Sequence, residues 1–96
     1  MRTIPHFIAG AHSAGDGTAM ADVFDPNTGT VQAQVPLGGD AELEAAVTSA
    51  RAAQPAWAAL NPQRRARVMF AFKALIEAHM DELAALLSSE HGKVFD

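Results

Sequence analysis

The chain has 96 residues, no cysteine and a formal net charge of −4, with a pI near 5.4. That length fits one small domain, which buries only roughly 60–65% of its unfolded surface, and the acidic balance argues against a general binder of nucleic acid or other polyanions. Without cysteine these residues can form no disulfide, no thiolate metal site and no cysteine nucleophile.

The N-terminus, Met1-Arg2-Thr3-Ile4, carries one basic residue but no apolar run of signal-peptide length, and no stretch approaches a membrane span. The expectation is a soluble, cytoplasmic chain with no membrane contact, with Met1 a genuine start. His6 to Ala9 reads as a short strand, Gly10 to Gly17 as a loop rich in Gly and Ser, and Thr18 to Phe24 as a second strand. Asp25-Pro26-Asn27-Thr28-Gly29 then carries hairpin-turn chemistry by position: an aspartate, a proline of fixed φ, an asparagine and a glycine that tolerates positive φ. Beyond it Val31, Ala33 and Val35 alternate with Thr30, Gln32 and Gln34, the period of a strand with one buried and one wet face. Pro36 ends that strand or marks an edge.

Asp40 reads as the N-cap of a first helix, with Glu42 and Glu44 in the turn where the dipole favours negative charge. Leu43, Val47, Ala50, Gln54 and Trp57 give it one face, and Pro55 predicts an end near Ala53. Asn61-Pro62 is a second start, a capping side chain followed by proline at the first helical position. Val68, Met69, Phe72, Leu75 and Ile76 form the next apolar stripe, and Leu83, Leu86 and Leu87 continue it. Acidic residues after His79 predict a break there. The stretch Ser89-Glu90-His91-Gly92-Lys93 closes the last helix, with glycine as a left-handed cap and lysine near the negative end. Val94-Phe95 then opens an apolar element, so the chain reads as the beginning of a longer protein. The expected fold is an α+β fragment, with a β-hairpin and short strands over about 6–35 and helices over about 40–53, 62–78 and 81–91. Residues 1–39 form a β-rich part and 40–96 a helical part of one incomplete segment.

No residue pattern marks a catalytic, cofactor-binding or metal site. His6, His12, His79 and His91 are scattered, and no pair has the i, i+4 spacing of a helical zinc site. Glu90 and His91 are sequence neighbours, which do not face one another on a helix. The glycines fit no phosphate-binding loop, and Gly92-Lys93 is followed by Val94 where a P-loop needs Ser or Thr. Arg64, Arg65 and Arg67 form the one basic cluster. They sit in a first helical turn, where positive charge opposes the dipole, so they call for salt bridges, an anionic contact or solvation. A helix-turn-helix around Asn61 is a weak alternative, because the chain is acidic and the helix face is Ala/Leu-rich.

The ordered set His6-Phe7-Ile8, Asp22-Val23-Phe24-Asp25-Pro26-Asn27-Thr28-Gly29, Val35-Pro36-Leu37, Ala45-Ala46-Val47, Ala50-Arg51-Ala52-Ala53, Pro55-Ala56-Trp57, Arg64-Arg65-Ala66-Arg67-Val68 and Glu90-His91-Gly92-Lys93 resembles the N-terminal region of the aldehyde dehydrogenase superfamily. The His-Phe-Ile opening and the Glu-His-Gly-Lys-Val ending resemble its CoA-acylating methylmalonate-semialdehyde dehydrogenases. The chain departs from the pattern in the loop after Ile8 and in Asp25, where the family often has asparagine.

The resemblance implies the start of an α/β cofactor-binding domain, in an enzyme that uses NAD and coenzyme A to convert methylmalonate or malonate semialdehyde to propanoyl-CoA or acetyl-CoA, carbon dioxide and NADH through a cysteine thioester that loses the carboxylate, in valine or inositol catabolism. It implies that the catalytic and NAD-binding residues lie beyond Asp96, that the partner is the remainder of the same enzyme, and that this enzyme is a tetramer. It also implies a possible monovalent-cation contact at the backbone carbonyls of Val23 and Phe24. The chain alone is expected to be inactive and to bind neither cofactor. Three rivals stand beside this reading: the N-terminal fragment of another aldehyde dehydrogenase, a self-standing helical interaction module using Phe72, Leu75, Ile76, Leu83 and Leu87, and a small DNA-binding protein using the three arginines.

Overall fold

The computed structural model describes residues 1–95; Asp96, the last residue of the expected helical part, lies outside them. Five strands precede three helices: β1 (Arg2–Thr3), β2 (His6–Ile8), β3 (Ala11–Ser13), β4 (Met20–Asp25), β5 (Thr30–Pro36), α1 (Asp40–Ala59), α2 (Pro62–Ala78) and α3 (Met80–His91). This is the expected α+β order. β4 and β5 form the antiparallel hairpin predicted around Asp25–Gly29, and β1 adds to β5 in parallel, giving the order β1-β5-β4. β2 and β3 make a separate two-stranded ribbon.

Three expectations are corrected. The Gly10–Gly17 segment is not wholly loop, because Ala11–Ser13 turns back on β2 through Ala9 and Gly10, both at positive φ. The first helix does not end near Ala53 but runs through Pro55 to Ala59. Proline removes the hydrogen bond to the Arg51 carbonyl, but Arg51 is exposed, so water can take that carbonyl, and the flanking alanines favour helix. Asp40 is the first helical residue rather than the cap. Gly39 occupies the cap, and the Glu42 side chain accepts from its N–H at 2.8 Å, which is the half of a capping box that needs no cap side chain.

The second and third helices follow the sequence closely. Asn61 Oδ1 accepts from Arg64 N at 2.9 Å with Pro62 at the first helical position. His79 separates α2 from α3, and Gly92 closes α3 in the left-handed conformation at φ +79°.

Ala33, in the central strand between β1 and β4, is fully buried, and Pro36 is the other buried residue among those described. The two-faced pattern expected of β5 is blunted, because Gln32 and Gln34 on its polar side are also half-covered. α3 packs against β4, α2 meets α3, and α1 meets β2, so the helices fan out rather than enclose a core. The Cα radius of gyration is 17.0 Å, against about 12.5 Å for a compact domain of this length. The accessible surface is 7439 Å², against roughly 5,300 Å² for a folded monomer of this mass. Leu43, Val68, Phe70, Phe72 and Leu75 are each at least half exposed. The apolar stripes that the sequence pattern marks are real helix faces, and among the described residues they remain largely uncovered.

Candidate functional site

The most ordered polar constellation joins two segments far apart in sequence, the hairpin turn and the end of α3. In the turn, Asp25 Oδ1 accepts from Asn27 N at 2.8 Å, the Asp25 carbonyl accepts from Gly29 N at 2.7 Å, and Gly29 sits at φ +75°. This geometry aims the Asn27 amide outward, and its Nδ2 donates to the Ser88 carbonyl at 3.0 Å. Gln32 arrives by a different device. β4 and β5 are in register at Val23 and Ala33, but Phe24 pairs with Val31, leaving Gln32 as the extra residue of a bulge, and bulges redirect side chains. Its Nε2 donates to the Ser89 carbonyl at 2.9 Å. Gly92 N also donates to the Ser88 carbonyl, at 2.9 Å.

The last four carbonyls of a helix have no partner inside it; here two are served by side chains of the hairpin and one of those also by the glycine cap. Arg2 of β1 lies 4.0 Å from Glu90 on the same end, an exposed pair of small energetic weight. Sequence reasoning found the turn and the cap separately. It did not find that they dock, because Gln32 reads as an ordinary outward-facing strand residue.

A second constellation centres on Glu42. Its Oε1 accepts from Asp16 N at 2.5 Å and its Oε2 from Gly39 N, so one carboxylate straps the β3–β4 loop to the start of α1. Gly15, at φ +75°, leaves the room this requires: a Cβ there would stand 2.7 Å from Glu42 Oε1. The amide of Asp16 first, then that of Gly39, hold the Glu42 carboxyl below its ordinary value, with a smaller contribution from His6. A carboxyl depressed in the folded state stabilises above its unfolded pKa, and the contribution is lost as pH falls through the lower, folded value. The strap should therefore open below the usual carboxylate range. In Glu42→Gln the Asp16 and Gly39 amides should exchange faster at neutral pH and the acid-dependent step should be gone, since an amide has a single acceptor oxygen and does not titrate. Hydrogen exchange followed by NMR reads this directly; an unchanged acid step in the variant would refute the strap.

The remaining candidates do not assemble into a reactive centre. His6 lies under Gly38, and its sheltered Nε2 has no hydrogen-bond partner. His12 stacks edge-on against Phe7, His79 Nδ1 meets Glu82 at 3.1 Å, and His91 ends α3. Among the described residues no three His, Cys, Asp or Glu side chains gather as a metal site. The carbonyl of Phe24, one of the two expected cation contacts, accepts from Gln32 Nε2 at 3.4 Å. Arg64, Arg65 and Arg67 have no carboxylate partner among the described residues. Two apolar hollows are open to solvent, one of about 490 Å³ beside His6, Gly38 and Leu43, and one of about 480 Å³ between α2 and α3. No helix among the described residues is long and apolar enough to cross a membrane.

The aldehyde dehydrogenase family model matches residues 12–96. A solved Sinorhizobium meliloti protein, assigned as a methylmalonate-semialdehyde dehydrogenase and complexed with NAD, superposes with a TM-score of 0.96 at 53% identity, over 100% of this chain and 20% of its own. The methylmalonate-semialdehyde dehydrogenase of Oceanimonas doudoroffii gives 0.93 at 41% identity, over 99% of this chain and 19% of its own. The malonate-semialdehyde dehydrogenase of Pseudomonas aeruginosa is 42% identical over the whole of this chain and 19% of its own length. The chain belongs to the aldehyde dehydrogenase family. It spans about a fifth of the length of the relatives it matches.

Proposed function

We propose that this chain is the N-terminal portion of an NAD-dependent, CoA-acylating dehydrogenase of malonate or methylmalonate semialdehyde, acting in the cytoplasm within a homo-oligomer, and that its own role is structural. The observation that carries the reading is the 53% identity, over the whole chain, to a protein assigned to that activity and complexed with NAD. The surplus surface supports it: about 2,100 Å² beyond a compact monomer's is the scale of an obligate interface. In the complete enzyme a cysteine thiolate would add to the aldehyde carbon, hydride would leave to the nicotinamide, the resulting thioester would lose its carboxylate as carbon dioxide, and the shortened acyl group would pass to coenzyme A with release of the thiolate. The residues of this chain would position the sheet and helices around that site. NAD and coenzyme A would be bound by the rest of the enzyme.

The test is a chimera in which this chain replaces the matching fifth of the Sinorhizobium meliloti protein. NADH formation from malonate or methylmalonate semialdehyde, dependent on coenzyme A, is expected from the chimera and absent from the 96-residue chain. An inactive chimera beside an active parent would overturn the structural role. Activity that yields free acid without coenzyme A would overturn the acyl-transfer assignment.

A further inference from the structure

We draw no further inference here: the strongest candidate, the basic patch of Arg64, Arg65 and Arg67 at the start of α2, is a helix N-terminus whose sheltered Arg65 Nε sits on a side chain only partly buried, and nothing in the structure shows what covers it.

Discussion

Gly92→Val should be the most damaging single substitution at the end of α3, lowering the stability of the latched sheet and helix by about 2–3 kcal/mol. Two costs add. At φ +79° an L-residue pays about 1–2 kcal/mol, and a β-branched one is less tolerated still. A Cβ at this position would also stand 3.2 Å from Pro26 Cγ, pressing the hairpin turn off the helix end. Relieving that contact would move Asn27 away from the Ser88 carbonyl, so the steric and capping losses are coupled. Gly92→Asn separates them, because asparagine tolerates the left-handed region and retains only the contact. Urea unfolding followed by circular dichroism should rank wild type above Asn and Asn above Val. Equal losses for Asn and Val would mean that backbone conformation is not the cause.

The latch also explains which parts of the fold sequence reasoning could read. Asn61-Pro62 and Gly92 announce helix boundaries because the stabilising interaction lies within three or four residues, as in the bond from Arg64 N to Asn61 Oδ1. The hairpin turn is legible for the same reason. β1 is not: two residues, Arg2 and Thr3, become a strand only by parallel pairing with Ala33 and Gln34, and no local pattern encodes that. β3 is hidden in Ala-His-Ser, which has neither alternation nor strong β propensity. The bulge at Gln32 is equally silent, since a slip of one residue in pairing leaves no compositional trace. Of the polar constellations, Glu42 is half visible as an acidic residue in the first turn of a helix. Its reach to Asp16 depends on how the β3–β4 loop returns. The arginines at 64, 65 and 67 are visible as a cluster that violates the dipole rule, and no carboxylate among the described residues offsets it.

Pro55→Ala should do the opposite of Gly92→Val and stabilise. α1 continues past Pro55 to Ala59 although an interior proline removes one hydrogen bond, crowds the carbonyl four residues earlier, and costs about 3 kcal/mol relative to alanine. Part of that cost is already relieved where water reaches the Arg51 carbonyl, so the recoverable share is about 1–2 kcal/mol. The gain should fall near the repaired bond: the new amide at position 55 regains the Arg51 carbonyl, and the amides of the turn that follows, from Trp57 to Leu60, should exchange roughly tenfold more slowly, while those near Glu42 and on α3 stay unchanged. Because α1 meets the strands through β2 rather than through the latched sheet, the global unfolding midpoint should move less than the local protection. A rise of the global midpoint as large as the local gain would show that α1 unfolds together with the latched sheet and α3. Loss of helicity would show instead that the fixed φ of proline sets the path of α1.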